Sequence, residues 1–234
     1  ELERLNNELE ETVNQRTQRL RETVEELESF SYSIAHDMRA PLRSLQGFSR
    51  ILLDDYGKLL DEAGRSYLEN IAASADRMDR MVRDILNYSK TAREELPLEA
   101  VDSGRLLREI IYSYPDLSPD KVDMVMEGEF PEVLGNAAAL TQCFSNLLGN
   151  AVKFVPPGTK PAVRIRAEDL GSEVRISITD NGIGIAPDQQ ERIFDLFQQI
   201  SKSYGGTGVG LAIVRKAVAR MGGRLGVDST PGKG

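Results

Sequence analysis

The ten residues SIAHDMRAPL, 33–42, hold the one histidine of the chain. His36 is followed directly by Asp37, and Pro41 stands one helical turn beyond Asp37. An imidazole beside a carboxylate suits a nucleophile whose tautomer is set. Asp37 is placed to accept the Nδ1 proton, which leaves the Nε2 lone pair facing outward. A lone surface histidine carries no such role, but the proline adds weight. Pro41 cannot donate to the carbonyl of Asp37, and an interior proline costs a helix roughly 3 kcal/mol. The pattern predicts a helix that bends just below its histidine.

A second set of chemistry-bearing residues lies far downstream. In ALTQCFSNLLGNAVKFV, Gln142, Asn146, Asn150 and Lys153 share one helix face, opposite Phe144, Leu147, Leu148, Ala151 and Val155. A solvated face is one reading, yet such faces usually carry Glu and Lys, and asparagine is a poor helix former. Two aligned amides and an ammonium suit a Mg²⁺-triphosphate, with oxygen ligands for a hard cation and a point charge for phosphate.

In EVRISITDNGIGI, Asp180 shares the parity of Val174, Ile176 and Ile178, so its carboxylate is expected to point inward at a strand end. A buried charge there needs a fixed donor, which the exocyclic amine of adenine supplies. An ordinary Asp-Asn-Gly turn is the other reading of the same letters. Further on, Gly205, Gly206, Gly208 and Gly210 precede a helix expected to begin near Val209. Glycines permit close backbone approach, and the first N–H groups of a helix offer an anion site. Between the two glycine clusters, Phe194 and Phe197 in QQERIFDLFQQISKS are spaced to anchor a mobile lid over the nucleotide.

Helices must position the histidine. Apolar residues recur at Leu2, Leu5, Leu9, Val13, Leu20, Val24, Leu27 and Ile34, with Arg16 and Ser31 filling the remaining positions of the stripe. The early spacing follows an eleven-residue repeat, which gives little supercoil or a right-handed one before heptads take over. So thin a stripe suits a parallel two-helix seam. It continues through Phe30, Ile34, Met38, Pro41, Leu45, Phe48 and Leu52, with His36 on nearly the opposite side. A second stripe, Leu68, Ile71, Ala75, Met78, Val82 and Ile85, follows a turn bracketed by Gly57 and Gly64. A helical hairpin of this kind buries both stripes by dimerising into a four-helix bundle.

After Pro97 and Gly104 the pattern turns mixed. Strands are expected at 121–126, 162–168 and 173–180, and helices near 103–113, 137–154 and 208–221. Strands backed by helices without regular alternation predict an α+β two-layer sandwich. The expected organisation is therefore a coiled-coil signalling helix over 1–28, a dimerising hairpin over 29–94, and a nucleotide-binding domain over 95–234.

The net charge of −8 argues against a general nucleic-acid or anionic-membrane surface, so an anion site must be built locally. The single Cys143 excludes an internal disulfide and sits among apolar neighbours, as a small buried hydrophobe would. No apolar run long enough to span a membrane and no signal-like segment is present, which predicts a soluble, cytoplasmic piece. Both ends read as cut from a longer chain, with an upstream sensor domain expected before Glu1.

FSYSIAHDMRAPLRSLQGFSRIL resembles the phosphoacceptor helix of sensor histidine kinases, in particular the His-Asp-x-Arg-Ala-Pro-Leu type of phytochrome-like and PAS-linked kinases. Downstream, Asn-x-x-x-Asn-Ala-x-Lys-Phe, Asp-x-Gly-x-Gly, Phe-x-x-Phe and Gly-Gly-Thr-Gly-x-Gly-Leu occur in order. They resemble the N, G1, F and G2 boxes of the GHKL (Bergerat-fold) ATPases, the family of histidine kinases, gyrase, Hsp90 and the mismatch-repair ATPase MutL. Together the resemblance covers nearly everything after about residue 28.

The resemblance implies a homodimeric, ATP-dependent protein-histidine kinase that phosphorylates itself on His36 and passes the phosphoryl group to an aspartate of a response-regulator receiver domain. It implies that Asn150, with Asn146, holds Mg²⁺, that Asn146 and Lys153 lie near the phosphates, and that Asp180 reads adenine beside Gly182 and Gly184. Gly206, Thr207, Gly208, Gly210 and Leu211 then close over the phosphates, and Lys202 is the candidate lid cation. A conformational ATPase without phosphohistidine fits the boxes but leaves the hairpin unexplained. A non-catalytic scaffold is at odds with intact boxes.

Two departures stand out. The family continues past the last glycine with a further strand, so the sheet is expected to lack an edge at Gly234. Many relatives carry threonine or asparagine where this chain has Ala40, and the resemblance implies that this side chain positions the water that dephosphorylates the regulator. Alanine has no donor or acceptor to orient it.

Overall fold

A computed structural model of the chain describes residues 2–93, 96–201 and 204–234. It divides into two compact units, Glu1–Ser89 and Lys90–Gly234. Among the described residues, no helix is long and apolar enough to cross a membrane.

The first unit is a helical hairpin. Helix α1, Leu2–Tyr56, runs unbroken through Pro41, and α2 spans Glu62–Arg93. The turn is closed by Gly57, whose N–H donates to Leu53 O and whose carbonyl accepts from Arg65 Nη2 at 2.7 Å. Asp61 caps α2 by accepting from Gly64 N–H at 2.7 Å, so Gly64 belongs to the first helical turn rather than to the connection.

The seam inside the hairpin differs from the stripe of large residues. Its buried members are Ala35, Leu42 and Ser49 on α1 and Ala75, Val82, Leu86 and Ser89 on α2. Ala35, Leu42 and Ser49 repeat every seven residues, as do Ala75, Val82 and Ser89, and their small side chains let the two helices approach closely. Gln46 Nε2 ties the helices by donating to Asp76 Oδ1 at 2.7 Å. The large residues Ile34, Met38, Leu45, Phe48, Leu52, Ile71 and Met78 remain exposed within one chain. The side chains of Leu2, Leu5, Leu20, Leu27 and Phe30, which belong to the leading stripe, lie outside the described ones.

The second unit is a mixed α/β domain. Its elements are β1 (Glu99–Asp102), α3 (Ser103–Ser113), β2 (Asp123–Glu127), β3 (Glu132–Gly135), α4 (Ala137–Lys153), β4 (Ala162–Asp169), β5 (Val174–Asp180) and α5 (Gly210–Arg220). Strands β2, β4 and β5 form one sheet in that order, with β2 parallel to β4 and β4 antiparallel to β5. A separate antiparallel pair joins β1 to β3.

Alternation explains the sheet. Val163 and Ile165 are buried, whereas Arg164 and Arg166 between them are exposed. The inward residues pack against α3 and α4 through Leu107, Ile110, Phe144 and Leu148. A second cluster, Ala139, Cys143, Val214 and Ala217, joins α4 to α5. Burial pushes the Cys143 thiol up to about 12, so it packs as a hydrophobe and is not a reactive thiolate.

Side chains set the helix starts. Asp102 accepts from Arg105 N–H to cap α3, and Asn136 accepts from Ala139 N–H to cap α4. Asn136 also donates to Pro97 O at 3.2 Å, which anchors the start of α4 to the entry segment of the domain. Residues 221–234 form no strand, and β5 lies at one side of its sheet.

Candidate functional site

On α1, Ala35 and Leu42 face the seam, and this leaves His36 on the solvent side with its side chain 67% exposed. His36 Nδ1 lies 3.3 Å from Asp37 Oδ1. The contact favours the tautomer with the proton on Nδ1, so the basic lone pair sits on the outward Nε2. Ala40, one turn further, is also exposed, and its carbonyl accepts from Ser44 Oγ. The expected pairing of His36 with Asp37 is thus present on an open helix face.

The second unit brings most of the remaining candidates together around α4. Gln142, Asn146 and Asn150 are half-buried, and Lys153 ends the same stripe. Asn146 Nδ2 donates to Gln142 O at 2.9 Å, which turns its Oδ1 away from its own helix. That oxygen meets the start of α5, where a Cβ at Gly210 would lie only 2.8 Å from it. A Cβ at Gly206 would lie 2.8 Å from Lys153 Nζ. The glycine loop therefore approaches the amide and ammonium of α4 closely, and Gly206, at φ 121°, holds a backbone conformation that residues with side chains rarely adopt.

The loop is also tied to the lid segment. Phe197, at φ 65°, is a non-glycine residue in the left-handed region, and its N–H donates to Gly208 O at 2.9 Å. Gln199 Nε2 donates to Gly206 O at 3.0 Å, and Arg215 on α5 pairs with Asp195 at 3.0 Å. Thr207 is buried and its Oγ1 accepts from Val209 N–H, while Leu211 is half-buried in the first turn of α5. That helix begins at Gly210, one residue after the expected start. Lys202 lies outside the described residues.

Asp180 ends β5 half-buried, with Oδ1 accepting from Gly182 N–H at 2.8 Å. Gly182 is buried where a Cβ would come within 2.6 Å of both Asp180 Oδ1 and Phe154 O. Ile183 N–H donates to Phe154 O at 2.8 Å, so the Asp180 loop is laced to the residue that follows Lys153. Gly184, at φ 68°, lies against Thr230 O instead, so it shapes the loop from its far side. Ile185 N–H donates to Ser229 Oγ, and Gln190 Nε2 donates to Ser229 O, which brace that side.

An aromatic pair joins these groups. Phe154 and Tyr204 meet at 5.6 Å between centroids with their rings tilted by 44°, and Lys153 Nζ lies 5.1 Å from the Phe154 centroid. The signal for this pair was an aromatic directly after Lys153 and another directly before Gly205, neither distinctive without the fold. Among the described residues, no three His, Cys, Asp or Glu side chains converge in a metal-holding group. The amide oxygens of Asn146 and Asn150 are the groups of α4 that could hold a hard cation together with phosphate oxygens.

Comparison with known proteins assigns a domain family to most of each unit. Residues 26–94 match the His Kinase A (phospho-acceptor) domain family, and residues 135–234 match the histidine kinase-, DNA gyrase B-, and HSP90-like ATPase family. The methanogenesis regulatory histidine kinase FilI of Methanothrix harundinacea is 31% identical over 89% of this chain and 24% of its own length. Drug sensory protein A of Synechocystis is 34% identical over 88% of this chain and 33% of its own length. Full-length ShkA, crystallised with AMPPNP, superposes with a TM-score of 0.64 at 32% identity, over 87% of this chain and 43% of that one. The chain thus spans about a quarter to a third of these curated relatives. With a phosphoacceptor hairpin followed by a GHKL-type ATPase domain, the chain belongs to the sensor histidine kinases and comprises a kinase core of that family.

Proposed function

We propose that this core binds ATP in its second unit and transfers the γ-phosphoryl group to Nε2 of His36, for onward transfer to an aspartate of a response-regulator receiver domain. The observation that carries the reading is the glycine loop seated on Asn146 Oδ1 and Lys153 Nζ. Backbone, amide and ammonium come together there, the groups that a triphosphate cradle uses.

Within this reading, Asn150 and Asn146 hold Mg²⁺ and Lys153 faces the phosphates. Bound Mg²⁺ supplies neutralisation of the charge on the triphosphate. Asp180 keeps Oδ1 on Gly182 N–H and offers Oδ2 to the exocyclic amine of adenine, with Phe154 and Tyr204 as an aromatic wall beside it. Gly206, Thr207, Gly208, Gly210 and Leu211 form the loop and first turn over the phosphates. Nε2 attacks the γ-phosphorus with its lone pair, the bond to the β,γ-bridging oxygen breaks, and ADP leaves. Asp37 holds the Nδ1 proton and stabilises the positive charge that develops on the ring.

Asp180→Asn tests the nucleotide half directly. The amide can present a donor to the adenine amine, so a charge-assisted bond is lost and ATP affinity is expected to fall about ten- to a hundredfold. Titration calorimetry reads the change, and an unchanged affinity removes adenine recognition from Asp180.

A homodimer is the assembly that fits the hairpin. Ile34, Met38, Leu45, Phe48, Leu52, Ile71 and Met78 are each at least 40% exposed, and covering such residues contributes up to roughly 1.5–3 kcal/mol apiece. A second copy of the same stripes completes a four-helix bundle. The leading part of α1 then connects to an upstream sensor domain, and the reaction runs in the cytoplasm, where ATP and receiver domains are available.

Ala40 bears on the reverse reaction. It shares the exposed side of α1 with His36 and has no group to orient a water. The protein is expected to favour kinase and phosphotransfer activity over regulator dephosphorylation. Ala40→Asn is expected to raise dephosphorylation of the cognate phospho-regulator without comparable loss of autophosphorylation, as followed by loss of label from the regulator. Rapid dephosphorylation by the unaltered protein, insensitive to position 40, contradicts this.

A further inference from the structure

The main-chain ladder between β4 and β5 ends at the pair Val163–Asp180. One residue further the backbone turns off into the Gly182–Gly184 loop, and the Asn181 side chain takes its place. Its Oδ1 accepts from Ala162 N–H at 2.9 Å, and its Nδ2 donates to Lys160 O at 3.0 Å. A carboxamide carries the same donor and acceptor as a peptide unit, so it supplies one more rung without taking the chain along.

The other side of this rung is fixed as well. Lys160 Nζ donates to Asp123 Oδ1 at 2.5 Å and to Pro119 O at 3.3 Å. At the opposite end of the same connection, Phe154 O accepts from Ile183 N–H. Residues 154–162, which leave the helix bearing Asn146, Asn150 and Lys153, are thereby stapled at both ends to residues 181–183. Gly182 lies so close to Phe154 that an added Cβ would come within 2.6 Å of Phe154 O, and its N–H holds Asp180 Oδ1. The direction of the Asp180 carboxylate therefore follows wherever residues 181–182 are held.

We infer that Asn181 is a positioning residue for base recognition: its side-chain rung aims the Asp180 carboxylate at the exocyclic amine of adenine and so sets the preference for ATP over purine nucleotides lacking that amine. The inference rests on the proposed role of Asp180. Asn181 touches no substrate. Without its amide, the Asp180 loop loses one of its two staples to residues 154–162, while the glycine loop and the polar stripe of α4 keep all of theirs.

The test measures dissociation constants of Mg²⁺-ATP and Mg²⁺-inosine triphosphate, which has an oxo group in place of the amine, by calorimetry on the full chain. Asn181→Ala is expected to weaken ATP about tenfold, the scale of one misdirected charge-assisted bond, and to leave inosine triphosphate unchanged. Asn181→Asp keeps the acceptor for Ala162 N–H and loses the donor to Lys160 O, so it is expected to fall between and to carry the test if the alanine variant does not fold. Equal weakening of both nucleotides assigns Asn181 a structural role only and overturns the inference. So does an unchanged preference in both Asn181 variants when Asp180→Asn abolishes it. An unchanged preference in Asp180→Asn overturns the adenine reading itself, and the inference with it.

Discussion

Replacing His36 by glutamine is expected to abolish phosphoryl incorporation from γ-labelled ATP while leaving ATP affinity unchanged. The amide nitrogen of glutamine has its lone pair delocalised and cannot attack phosphorus, so the loss is of the acceptor itself and not of a helper. Nothing else changes greatly. The side chain is 67% exposed, so its removal leaves no cavity, and glutamine is a better helix former than histidine. The expected stability change is within about 0.5 kcal/mol. The residues proposed to bind the nucleotide all lie in the other compact unit. Gel autoradiography and calorimetry together check the outcome, and undiminished labelling removes His36 as acceptor.

Gly208→Ala is expected to weaken ATP binding about ten- to a hundredfold, since backbone strain of this kind costs about 1–3 kcal/mol and the loop must also rebuild. Gly208 sits at φ 72°, and an added Cβ would lie 2.7 Å from Gln198 O and from Phe197 C. Both are backbone atoms and cannot swing aside. Moving them also breaks the Phe197 N–H bond to Gly208 O, which joins lid and loop. Gly205→Ala is the matched control, because its φ of 66° imposes strain but its Cβ meets nothing within 4 Å. The smaller loss belongs to Gly205, and equal effects contradict the close packing of loop on lid.

Where side-chain period decides a structure, the sequence was readable. The alternation that ends at Asp180 placed its carboxylate half-buried at the end of β5, and the 4-4-3 spacing put Asn146, Asn150 and Lys153 on one face of α4. Strands β1 and β3 were missed because each is four residues long and next to charged or turn-forming neighbours. Their pairing, Val101 with Val133, is a tertiary choice that no local window contains. The hairpin seam was legible only in part. Ala75 and Val82 stand in the second stripe and are buried, but on α1 hydropathy favours Met38, Leu45 and Phe48, whereas close helix packing selects Ala35 and Ser49, whose smallness is the useful property. The contact of Gly206 and Gly210 with Lys153 and Asn146 joins segments more than fifty residues apart, so sequence order announced both partners but not their meeting.

The central claim is that ATP phosphorylates His36, and the most direct measurement is the chemistry of the product. After incubation of the full chain with Mg²⁺ and γ-labelled ATP, a phosphoramidate is expected: label stable in base, lost in acid, and mapped by peptide sequencing to the segment containing His36. Acid-stable label, or base-stable label on any other segment, contradicts the account.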